Sequence, residues 1–184
     1  MKMTRGKETY TTQLTVGLDR RAKFTLEDRK QEFAAVMRVY NLLGDMTFQV
    51  DRINGVRDAL TDRAGKLKAD DPVRKKLMEL SGKADEIRKK IVATKEGGAI
   101  TGEERIREKT TQLYGTLMDY EGRPGDYQLA RIDSLKHELD DVTAEFDGFI
   151  AKDLQEINEA LSQKKMEVIH PVTRQEWDKT NSGS

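Results

Sequence analysis

Two groups of residues in the chain have types and spacings that could do chemistry. Gly97 and Gly102, in "ATKEGGAITGEERI", stand at the G-x-x-x-x-G spacing of a phosphate-binding loop, whose backbone N–H groups cradle phosphates. That loop needs a lysine and then a serine or threonine behind the second glycine, and a buried strand ahead of the first. Glu103 and Glu104 occupy the positions behind Gly102, where two carboxylates repel a triphosphate, and the sequence ahead of Gly97 is polar and helical in pattern. His137-Glu138 opens the zinc pattern H-E-x-x-H, but Asp141 stands where the second histidine belongs, and the other histidine of the chain is His170. Asp140, Asp141, Glu145 and Asp147 depart from the calcium-loop order and keep a helical spacing, as a solvated acidic face does. There is no G-x-S-x-G, and without cysteine there is no thiolate metal site or disulfide. The residues therefore imply a chain with no catalytic group and no cofactor of its own. A carboxylate-bundle metalloenzyme is the remote alternative; it requires Glu-x-x-His pairs on two helices, and the sequence has none.

The elements that would position such residues are helices. Charged and hydrophobic residues each make up 36% of the 184 residues, a balance that suits long exposed helices with a narrow apolar stripe. Lysine and arginine equal aspartate and glutamate, 33 against 33, which gives no basic footprint for nucleic acid. No apolar run approaches a membrane span, and "MKMTRGKETYTTQ" lacks the apolar core of a signal peptide.

Along the chain, Tyr10, Thr12, Leu14 and Val16 alternate with threonines and a glutamine, which predicts one β-strand over residues 8–16. A lone strand cannot bury itself, so it is expected to join a sheet supplied from elsewhere. Thr25 and Asp28 predict a helix start. One helix over residues 26–68 follows, bent at Asn54-Gly55 or, as the alternative, broken there into two, with a seam through Phe33, Val36, Tyr40, Leu43 and Val50. A second register, Ile53, Val56, Leu60, Ala64 and Leu67, follows after a three-residue stammer at Asn54-Gly55. Asp71 and Pro72 restart the pattern with Val73, Leu77, Leu80, Ala84, Ile87 and Ile91 in strict 4-3 steps. Gly97-Gly98 ends that helix, and Thr101-Gly102-Glu103-Glu104 reads as the capping box of the next, which carries Ile106, Thr110, Leu113, Leu117 and Tyr120. Asp126 is expected to cap a last helix, to about residue 165, with one apolar stripe from Leu129 to Leu161.

At about 1.5 Å per residue the two middle helices together match one long leg. The expected fold is thus all-α: a long antiparallel bundle of three legs with a broken middle leg, and a short N-terminal β-strand. A four-helix up-down bundle is the runner-up. Residues 1–24 form the strand and linker, 25–168 the bundle, and 169–184 a tail. Trp177 in that tail is a plug over the bundle end or an anchor to a partner. Together with Tyr10, Leu14 and Val16 it is a candidate partner contact.

"GKETYTTQLTVGLDRRAKFTLEDRKQEF" and "YNLLGDMTFQVDRINGVRDAL" resemble the C-terminal region of large bacterial sortilin-like propeller proteins with BNR or Asp-box repeats. Tyr10, Leu14 and Val16 resemble that family's closing sandwich strand, and Asp19 and Arg21 its D-P-R, with Arg20 in place of proline. Ile53, Arg57 and Leu60 fit its I-x-x-x-R-x-x-L, and "DLQEINEAL" its final D-L-x-x-L-N-x-x-L. The resemblance implies that residues 1–24 are the remnant of a preceding β-sandwich. It also implies a secreted or periplasmic parent protein whose propeller holds any glycosidase-like site. The chain itself would be a non-catalytic helical module packing against, spacing or dimerising that body. A free-standing coiled-coil adaptor for a partner helix is the rival reading.

Overall fold

The computed structural model describes residues 1–17, 19, 21, 23–95 and 102–181. Strands β1 (Lys2–Arg5) and β2 (Glu8–Thr11) pair first. Helices α1 (Leu26–Gly65), α2 (Pro72–Ile91), α3 (Ile106–Met118) and α4 (Asp126–Phe149) follow. A π turn at Ile150–Leu154 carries α4 into α5 (Gln155–Gln163), and α6 (Arg174–Asn181) comes last. The chain is an all-α bundle with a short N-terminal β element, as the sequence predicts.

α1 begins at the expected capping box. Thr25 Oγ1 accepts from the Asp28 backbone N–H at 3.1 Å, and Asp28 accepts from the Thr25 N–H at 2.8 Å. The helix then passes through Asn54-Gly55 without a break. Its buried seam is Ala35, Val39, Leu42, Met46, Gln49, Ile53, Val56, Leu60 and Ala64, in steps of three and four with no stammer. This corrects the predicted register: Phe33 and Tyr40 are 66% and 58% exposed, and Val50 is only half-buried. The physical reason is Gln49. It holds a core position at 2% exposure, so an apolar count slips one residue to Val50 and then needs a stammer to recover.

Asp71 accepts from the Val73 N–H at 2.9 Å with Pro72 in the first turn, and Leu77, Leu80, Ala84, Ile87 and Ile91 are buried along α2. Charge pairs give the helix directions. Arg57 reaches Asp85 at 3.2 Å and Thr61 meets Ser81 at 3.0 Å, so α2 runs antiparallel along the second half of α1. Arg29 reaches Glu121 just past α3, which therefore covers the first half. Arg38 with Asp133, and Arg52 with Asp147 at 2.8 Å, are both separated by 95 residues, so α4 runs parallel to α1. The three legs are thus α1, then α2 with α3, then α4 with α5, and the middle leg is the broken one.

The last leg stays in phase by a device the stripe does not reveal. Ile132, Leu135, Leu139, Val142, Phe146 and Phe149 are buried in steps of three and four, and a further step of four would bury Asp153. The π turn lengthens the step to five, so Leu154, Ile157 and Leu161 point inward instead. Asp126 is the first helical residue rather than the cap; Gly125 holds the cap position, its N–H donating to Gln128 Oε1 at 2.9 Å.

Among the described residues Gln49 Nε2 is buried without a hydrogen-bond partner. Such a donor costs about 1–3 kcal/mol. Gln49→Leu is therefore expected to raise the unfolding free energy in urea titration by about 1–3 kcal/mol. Leu60→Ala, in the same seam, is expected to lower it by about 2–5 kcal/mol.

Candidate functional site

The predicted strand over residues 8–16 is shorter and is paired within the chain. β2 stops at Thr11 and pairs antiparallel with β1, Met3 facing Tyr10 and Arg5 facing Glu8. Gly6 and Lys7 make the turn, and φ is +62° at Gly6, the positive value that a two-residue hairpin demands at its first corner. Met1 and Thr12 close the ladder with hydrogen bonds of 2.7 and 3.0 Å. In this register Leu14 and Val16 lie beyond the paired residues, and, among the described residues, 12–17 carry no secondary structure. Tyr10, Leu14 and Val16 are 50%, 67% and 95% exposed. The Tyr10 hydroxyl donates to Glu8 Oε2 at 2.6 Å, and this hydrogen bond raises its pKa.

Trp177 sits neither at the bundle end nor in a free tail. Beyond α5 the chain reverses at Lys165, where φ is +57°. Asn158 then clasps Ile169, its amide donating to the Ile169 carbonyl at 2.9 Å and its Oδ1 accepting the Ile169 N–H at 2.8 Å. Ile169 is buried in the main core. Thr173 and Glu176 cap α6, with the Thr173 N–H donating to Glu176 at 2.9 Å. Across the flank of α1, the Trp177 indole N–H donates to Asp51 at 2.9 Å and its ring meets Phe48 edge to face at 5.7 Å. The Arg174 guanidinium lies over both rings and donates to Asp45 at 2.7 Å. Trp177 thus packs on the flank of α1, whereas Tyr10, Leu14 and Val16 are exposed in the N-terminal segment. The "TRQE" of residues 173–176 was the sequence signal for α6, and it matches the capping-box pattern.

Gly97, Gly98 and Thr101 lie outside the described residues. On either side of them, carboxylates hold the backbone N–H groups. Glu103 accepts from the Thr94 N–H at 3.0 Å, and Glu108 accepts from the N–H groups of Ala93 and Arg105 at 3.1 and 3.0 Å. The Thr94 N–H, with the Arg105 guanidinium, brings the Glu103 carboxyl down to about 2. α3 opens at Ile106, four residues later than a cap at Thr101 predicts, because Glu108 rather than Glu104 reaches back to cap it. His137 and His170 are both exposed, and Glu138 pairs with Arg131 at 3.3 Å. Among the described residues no three His, Asp or Glu side chains converge as a metal-holding group.

Three surface features escape a sequence reading. The first is an outward stripe on α1, where Leu26, Phe33 and Tyr40 recur every seven residues with Met37 half-buried between them. The second is an exposed apolar cluster beside it: Met118, Tyr120 and Tyr127. This cluster sits at the α1 N-terminal end, where Phe24 meets Tyr120 at 6.0 Å and the Gly122 N–H donates to Glu32 at 3.2 Å. The third is a half-open cavity of about 450 Å³ between α1 and α4, edged by Arg174 and lined in part by Gln49.

The Asp85 carboxyl is an ion-pair anchor, not an acid poised for catalysis. Partial burial raises its pKa, but hydrogen bonds from Lys89, Arg88 and Arg57 outweigh this and bring it from 3.8 to about 2. A group with its pKa depressed on folding stabilises the fold above its unfolded pKa and loses that contribution as pH falls through the folded value. The unfolding free energy is therefore expected to drop by about 2 kcal/mol between pH 4 and pH 1 on account of Asp85. Denaturant titrations over that range should show a shallower slope in Asp85→Asn.

No family model, no curated protein and no solved structure matches the chain.

Proposed function

We propose that this chain is a non-catalytic helical module that docks by one end onto a β-rich body and holds its opposite end away from it. The observation that carries this reading is the one-sided placement of apolar surface. Among the described residues, the exposed large hydrophobic side chains are of two groups, with Tyr40 and Met78 apart. Met1, Met3, Tyr10, Leu14 and Val16 belong to the first 17 residues, and Leu26, Phe33, Met118, Tyr120 and Tyr127 belong to the adjoining end of the bundle, while Tyr40 stands farther along α1 beside Trp177. Apolar groups gathered at one end mark a contact, whereas single scattered ones do not. A two-stranded hairpin is marginal by itself and gains stability when it extends a larger sheet. The resemblance of residues 10–21 and 53–60 to the end of sortilin-like propeller proteins supports a β-sandwich of the same polypeptide as that body, and with it a secreted or periplasmic setting.

A homodimer or an adaptor for a partner helix is the second reading, and the seven-residue recurrence of Leu26, Phe33 and Tyr40 favours it. Sedimentation velocity separates the two. The chain is mixed with the polypeptide encoded immediately upstream of it, expressed as a separate molecule. The expected result is a one-to-one complex that the double variant Tyr10→Asp, Val16→Asp weakens at least about tenfold. Trp177→Phe should leave it intact. Absence of any complex would overturn the docking reading, and self-association lost in Phe33→Glu would establish the dimer in its place.

A further inference from the structure

The docking reading concerns the N-terminal end of α1; α6 lies beyond that end and is independent of it. Tyr40, Gly44, Phe48 and Asp51 follow one another along α1 in steps of four, four and three, so they continue its outward stripe. α6 is seated on this face through Phe48 and Asp51. Two cavities border it. One, of about 670 Å³, has Tyr40, Leu43, Gly44 and Tyr114 among its walls, and Trp177 closes it. The other is the cavity of about 450 Å³ between α1 and α4, with Leu42, Phe48, Ile132 and Leu139 among its own. Arg174 walls both, together with Asn41 and Asp45 of α1. Without α6, only the surface of α1 itself would separate them.

α6 is held differently from the rest of the chain. It has eight residues and buries none of them. A helix this short is not stable alone in water, so α6 is helical because it is seated. The seat is made at the surface. The Arg174 guanidinium lies over the Phe48 ring and donates to Asp45 at 2.7 Å, and the Trp177 indole donates to Asp51 at 2.9 Å. Both pairings are exposed, where an ion pair adds little. Just ahead of α6, by contrast, Ile169 is buried in the main core, and Asn158 clasps its N–H and its carbonyl. A fixed point followed by a weak seat makes residues 170–173 between them a hinge. We propose that α6 is a latch: it unseats and loses its helix as one unit, turning about residues 170–173, while the bundle stays folded. Its departure joins the two cavities into one open groove along α1 from Tyr40 to Phe48. Units of this kind, with little buried surface, open far more often than the core that carries them.

Trp177 is the sole tryptophan, so its emission reports the latch, while far-UV circular dichroism reports the bundle. In a urea titration of the whole chain, the Trp177 transition is expected to precede the loss of circular dichroism. The α6 amide protons are expected to exchange at least about a hundredfold faster than those of α5. Lys179→Pro breaks α6 and leaves every seat residue and cavity wall in place. It should move Trp177 emission to that of the unfolded chain and leave the urea midpoint of the bundle unchanged. It should also tighten binding of the neutral dye Nile red at least about tenfold, because the joined groove is then open. Coincident transitions by emission and circular dichroism would overturn the latch, as would α6 amides protected as well as those of α5. Native Trp177 emission in Lys179→Pro would do the same. Trp177 released with no change in dye affinity would remove the groove, and the proposal with it.

Discussion

The continuous apolar seam of α1 is the constraint on which the molecule depends. Both halves of the broken middle leg and the α4 part of the last leg pack against this one helix, and α5 packs against α2, so the register of α1 sets theirs. Each Leu or Ile that the seam buries contributes about 1.5–3 kcal/mol, far more than a surface ion pair. The charge pairs between legs therefore fix direction and register and add little to stability. Arg38–Asp133 and Arg52–Asp147 share one sequence offset, which is what a rigid parallel pairing of α1 with α4 requires. Arg57–Asp85 and Lys83–Asp153 place α2 between them.

The sequence reveals the legs where the seam residues are large and aliphatic. Leu77, Leu80, Ile87 and Ile91 define α2 almost without ambiguity, and the Asp71-Pro72 start is stereochemical. α1 is harder, because its seam uses small residues at Ala35 and Ala64 and an amide at Gln49, which weigh little in an apolar count. Phe33 and Tyr40 weigh heavily and face outward. The N-terminal strand was legible as a strand, but its partner was not: β1 has only four residues, and the Gly6-Lys7 corner is a weak turn signal without its φ. Capping boxes show the limit of a local motif. Thr25-Asp28 and Thr173-Glu176 each open a helix, whereas Thr101-Glu104 has the same form and α3 begins later. The choice was made by tertiary contacts of Glu103 and Glu108 with Thr94 and Ala93, which are remote from the motif itself.

The candidate sites follow the same division. Tyr10, Leu14 and Val16 stand out in a sequence by alternation and are exposed in the structure. Trp177 stands out by its isolation, yet the reversal at Lys165 and the Asn158 clasp carry it onto the flank of α1. The cavity lined in part by Gln49 has no sequence signature, because its walls come from helices some ninety residues apart.

Length gives the lopsided distribution of apolar surface a mechanical meaning. α1 spans 40 residues without a break, so at about 1.5 Å per residue it is a strut of roughly 60 Å, braced by the other two legs. A body gripped at the Phe33 end would carry the Asp62–Lys66 end as a stiff polar tip at that reach. Any bending there would tear open the shared apolar interior before it bent the strut.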